Sequence, residues 1–164
     1  VQTCALPISA RLLDRLEPWV QTSGGPNRAT WLLNRATAAL REKNGPRARR
    51  FLEEAERTVE AMAPEGRKAS AWETILERYR WQLRFLEKED PAQLLREVCS
   101  WLERPESLRL QVMDHYHAAC CLRALGRTEE ARPHLEFAVE FGGGLEVRRQ
   151  AADLLKQLQR PETP

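Results

Sequence analysis

Apolar positions recur along the chain at intervals of three and four residues, and glycine, proline and small polar residues interrupt them. That period places the apolar side chains on one face of a helix. It predicts helices over roughly 10–22, 28–43, 47–62, 67–88, 91–103, 108–125 and 128–141, with a last one near 146–159. No alternating apolar–polar run is long enough to be a convincing strand. The breaks carry recognisable chemistry. Ser23-Gly24-Gly25-Pro26-Asn27 is a loop, and Asn44-Gly45-Pro46 ends one helix on a glycine and opens the next with a first-turn proline. Ala63-Pro64-Glu65-Gly66 is a further break, and Asp90 and Ser107 are placed as N-caps. Gly126 is suited to a left-handed turn, with Thr128 to cap the helix that follows, and Gly142-Gly143-Gly144 closes the last hairpin. Short connections of this kind join antiparallel neighbours.

Small residues repeat at fixed places within these helices. Ala131, Leu135 and Ala138 are spaced four and then three, after Ala119, Leu122 and a turn at Gly126. Ala48, Leu52 and Ala55 repeat the spacing after Asn44-Gly45, as do Leu95, Cys99 and Leu102 after Tyr79, Leu83 and Leu86. Leu12, Leu16 and Trp19 read as the remnant of an earlier second helix. Small residues let helix backbones approach while larger apolar neighbours fill the gap. The intervals between units are unequal, and residues 65–89 read as one unusually long helix.

The string from Ala119 to Ala131, followed by Leu135 and Ala138, resembles the bacterial form of the tetratricopeptide repeat, with the best unit over residues 112–145. It departs from that pattern at His115, where an aromatic is expected, and at Gly143, where proline is common. The resemblance implies an all-α fold of antiparallel hairpins stacked as a right-handed solenoid. It would form a single domain over residues 10–160, capped by the polar-faced helix 146–159 and followed by a tail at 161–164. It also implies that the first helix of each hairpin lines a concave groove, which would place Arg80, Arg84, Tyr116, Cys120 and Arg123 there. Arginine and tyrosine are favoured interface anchors, so the expected ligand is a protein or peptide, acidic or presenting its C-terminus. The asparagines of the chaperone-type carboxylate clamp are absent.

Composition narrows this picture. Leu, Ala, Glu and Arg dominate the 164 residues, which favours helix. The 26 basic and 24 acidic side chains are interspersed, leaving a net charge of +2 and no basic stripe for a nucleic-acid backbone. No apolar run approaches membrane-spanning length, and no signal peptide is visible. Residues 1–9, Val-Gln-Thr-Cys-Ala-Leu-Pro-Ile-Ser, resemble a translated sequencing adapter, so the natural frame is expected to extend upstream and this chain to be a fragment. That leaves Cys99, Cys120 and Cys121, whose spacing makes no disulfide framework; reduced thiols suit the cytoplasm.

Candidate chemistry is sparse. His115, His117, Cys120, Cys121 and His134 draw attention as metal ligands, yet His115 does not converge with the others along its own helix and no Cys-x-x-Cys pair is present. His117 could reach Cys121 as a base, but a helix interior is poor ground for a thiolate nucleophile. The abundant glutamates fit surface ion pairs, and the three glycines at 142–144 do not make a phosphate loop. Trp72 and Trp81, nine residues apart on the long helix, suggest that one of them is exposed. The expectation is a partner-binding scaffold with no catalytic residue, metal or cofactor. The alternative is a regulatory or sensor segment of a larger signalling or membrane-anchored protein.

Overall fold

A computed structural model of the chain describes residues 10–21, 24–63 and 72–158. Eight helices occur among them: α1 (Ala10–Gln21), α2 (Gly25–Arg41), α3 (Gly45–Glu60), α4 (Trp72–Leu86), α5 (Pro91–Leu102), α6 (Leu108–Ala124), α7 (Thr128–Phe141) and α8 (Glu146–Leu158). No strand is found among the described residues, and no helix there is long and apolar enough to cross a membrane. The adapter-like residues 1–9, the expected helix start before Trp72, the break after Ala63 and the tail 161–164 lie outside the described residues.

The chain divides into two compact units, one over Ile8–Lys88 and the other over Glu89–Pro164. In the first, α2 and α3 pack as a hairpin, with α1 against α2 and α4 against both. Its core joins Ala29, Leu32, Ala36 and Ala39 of α2 to Ala48, Leu52 and Ala55 of α3, all essentially inaccessible. In the second, α6 packs on α5 and α7, and α8 closes on α7. Ala119 and Leu122 meet Ala131, Leu135 and Ala138 there, with Ala151 of α8 completing the core. The repeated alanines thus have one role in both units: with no side chain beyond Cβ, they let paired backbones come close while leucines fill the space beside them.

Several local expectations are corrected. On α5 the buried set is Leu94, Val98 and Trp101, one residue earlier than Leu95, Cys99 and Leu102; the four-then-three spacing holds, but Cys99 is exposed. On α1 the buried residues are Leu13 and Val20, whereas Leu12, Leu16 and Trp19 are exposed, Trp19 by 62%. Trp72 and Trp81 are both buried, and Trp81 stacks on Phe85 at 5.2 Å. The turn before α3 is made by Lys43 at φ 56°, not by Gly45, which forms the first residue of the helix. Asn44 caps α3 by accepting from the Arg47 N–H, and Asp90 caps α5 by accepting from Ala92. Thr128 does not cap: α7 starts on it, with Arg127 in the cap position and no side-chain cap bond. Gly126 takes the left-handed turn at φ 73° as its place in the sequence predicts.

Candidate functional site

The residues assigned to a groove fall in both compact units. On α6, Tyr116, Cys120 and Arg123 follow one another at intervals of four and three, so they form a single stripe. Ala119 and Leu122, beside them in sequence, are buried against α7. Tyr116 and Cys120 are half-buried, and Arg123 is exposed. Burial, followed by the charge and hydrogen bond of Cys120, pushes the Tyr116 hydroxyl well above its usual range. Burial pushes the Cys120 thiol up to about 11, although the Tyr116 hydrogen bond and Arg123 pull it the other way. Cys120 is therefore a neutral thiol at neutral pH and a poor nucleophile. The stripe is amphipathic, with one aromatic, one soft thiol and one cation.

On α4, Arg80 is exposed and its Nε donates to Glu56 Oε1 of α3 at 2.6 Å. Arg84, one turn on, is half-buried. An incoming acid at Arg80 must share or displace the Glu56 carboxylate. Further along the α3–α4 side of this unit, Arg49 is bound through both oxygens of Glu87, at 2.7 and 2.6 Å. Arg80 and Arg49 are thus held in place by carboxylates of their own chain.

The metal-ligand candidates are redistributed. His117 and Cys121 are buried on α6, and burial first, with Cys120 next, raises the Cys121 thiol to about 12. His115 instead meets His134 across the α6–α7 hairpin, with their Nδ1 atoms 2.9 Å apart. His115 also stacks on Phe137 at 3.9 Å between ring centres. Burial, reinforced by His134, lowers the His115 pKa from 6.5 to about 4, and burial also lowers that of His134. One ring then donates its Nδ1–H and the other accepts, so the pair joins the two helices. Helical spacing along α6 could not reveal this contact, because the partner is 19 residues away on another helix. Among the described residues, no group of three or more His, Cys, Asp and Glu side chains is arranged to hold a metal ion.

A second polar cluster was not anticipated. Arg35 of α2 lies over Trp31 and Phe51, with its guanidinium carbon 5.3 and 5.1 Å from the two ring centres, and it pairs with Asp14 of α1. The Trp31 indole N–H donates to the Leu13 carbonyl at 3.0 Å, so this aromatic side of α2 also fastens α1. Arg28 pairs with Glu54 at 2.6 Å in the same region. Arginines placed seven apart on α2 and next to Phe51 on α3 were the available signal, but their convergence depends on how α1, α2 and α3 pack. No family model, curated protein or solved structure matches the chain.

Proposed function

We propose that the chain is a partner-binding module, built from tetratricopeptide-like hairpins stacked as a right-handed solenoid, that takes a protein or peptide along the first helices of its hairpins. The observation that carries the reading is the division of α6 into two sides. The repeat-pattern residues Ala119 and Leu122 pack against Ala131, Leu135 and Ala138 of α7, while Tyr116 at the edge of that core, half-buried Cys120 and exposed Arg123 form a neighbouring stripe. A helix that spends its small residues on its hairpin partner and leaves an aromatic edge and a cation partly accessible beside them is suited to present that stripe to a ligand. The ligand is an extended segment with an acidic group for Arg123 and an apolar group for the Tyr116 ring. On α4, Arg80 and Arg84 offer further positive charge to the same class of ligand, Arg80 in exchange for Glu56.

The reading is tested by charge reversal. Partners captured by the purified chain are compared with those captured by Arg123→Glu and by an Arg80→Glu, Arg84→Glu double variant, with circular dichroism as the check on folding. Capture should fall about tenfold or more for an acidic partner, the scale of one lost charge-assisted contact. Unchanged capture by both folded variants would remove the groove assignment.

A further inference from the structure

In the Ile8–Lys88 unit, a cleft of about 130 Å³ opens where α1, α2 and α3 meet. Its lining includes Arg28, Trp31, Arg35, Arg50 and two carboxylates, Glu17 and Glu54. The Arg35 side chain is only 10% exposed, and its Nη1 pairs with Asp14. Its Nε is fully buried and has no acceptor. A charged donor buried without a partner is costly, and a site that keeps one calls for a water or a ligand. Glu54, the carboxylate on α3, is already engaged by Arg28. Three guanidinium groups thus face two carboxylates in the lining, with one N–H unanswered, between the Trp31 and Phe51 rings.

We infer that this cleft is a binding site for a single carboxylate, such as the side chain of a glutamate or aspartate in an extended acidic peptide, which accepts from the Arg35 Nε–H and meets Arg50 at the rim. The volume admits such a head group. Charge selects among anions. Arg28, Arg35 and Arg50 balance Glu17, Glu54 and Asp14, so the attraction is that of the local Arg35 and Arg50 donors, and a dianion such as phosphate meets twice the repulsion from the three carboxylates that a monoanion does. The rings supply flat apolar walls and keep the guanidinium in place. This site does not depend on the proposed groove, since none of its lining residues is among those assigned there.

The Arg35 Nε–H is itself the reporter. Its resonance in a nitrogen–proton correlation spectrum of the full chain is assigned by its loss in Arg35→Lys. A blocked tetraglutamate peptide, the matching tetraglutamine peptide and inorganic phosphate are then titrated. Tetraglutamate should move the resonance saturably and tetraglutamine should not, with phosphate at least about tenfold weaker. Arg50→Gln, at the exposed rim, should weaken tetraglutamate about tenfold with an unchanged circular dichroism spectrum, and Glu17→Gln should strengthen it. Arg123→Glu and the Arg80→Glu, Arg84→Glu variant should leave the Arg35 shift intact. Loss of that shift in these folded variants would show one common site and overturn the separate cleft. No saturable shift would mean that water alone answers the Nε–H, and an equal response to tetraglutamine or tighter phosphate would remove the carboxylate assignment.

Discussion

Gly142 ends α7 with an ordinary backbone, at φ −68°, so its lack of a side chain matters for space and not for conformation. A Cβ placed there would run first into the Ala138 carbonyl oxygen of α7 and would stand 2.7 Å from the Cβ of Arg148 in the first turn of α8. Gly142→Ala should destabilise the chain by about 1–3 kcal/mol, read from urea unfolding, because both the end of α7 at Ala138 and the turn into α8 must shift to admit it. The His115–His134 pair gives a second prediction at this scale. Both folded-state pKa values lie below the unfolded 6.5, so the unfolded chain binds more protons as acid is added. The stability contributed by the neutral pair is complete above pH 6.5 and lost as pH falls through that value toward about 4. The urea midpoint should drop over this window by the equivalent of roughly 1 kcal/mol, after allowance for solvent screening at a half-buried site, and should drop less in His115→Leu. A midpoint equally acid-sensitive in that variant would place the titration elsewhere. The contact itself was hidden in the sequence: a helix wheel relates His115 to His117 and Cys121, while tertiary packing relates it to His134.

The helices follow from local chemistry wherever the local term is large. Gly126 and Asp90 act as predicted, and Asn44 caps α3 where the sequence predicts a glycine stop, because a left-handed turn or a short carboxylate or amide cap is decided within a few residues. Thr128 and Ser107 occupy suitable places at helix starts but make no cap bond. Asn44→Ala should therefore cost about 1 kcal/mol in urea unfolding, and Thr128→Ala should stay within about 0.5 kcal/mol of the parent. The α5 helix shows the limit of reading periodicity. Leu94-Leu95, Val98-Cys99 and Trp101-Leu102 offer the same four-then-three spacing in adjacent registers, and tertiary burial selects the first, with Leu95 left half-buried at the edge of the α6–α7 core. Val98→Ala should destabilise by about 2 kcal/mol while Cys99→Ala changes little; the reverse order in the same unfolding assay would restore the later register. On α1, likewise, Leu13 and Val20 are chosen over Leu12, Leu16 and Trp19 by contact with α2.

At the scale of the whole molecule, two cores divide the chain, one built around α2–α3 and the other around α6–α7. The titrating pair belongs to the second. Amide exchange compared at pH 7 and pH 5, corrected for the intrinsic pH dependence, should show protection lost in α6 and α7 ahead of α2 and α3. Equal loss in both cores would mean that the His pair is not the acid-sensitive element. The sequence by itself determined the all-helical class, most helix limits and the alanine positions of the two central hairpins, since periodicity, propensity and turn residues act over a few neighbours and need no partner. Only the tertiary structure decided the α5 and α1 registers, the burial of both tryptophans on α4, the meeting of His115 with His134, and the enclosure of Arg35 between two rings. Each of these depends on which of two competing faces a neighbouring helix covers, and that choice is made by contacts between residues far apart in the chain.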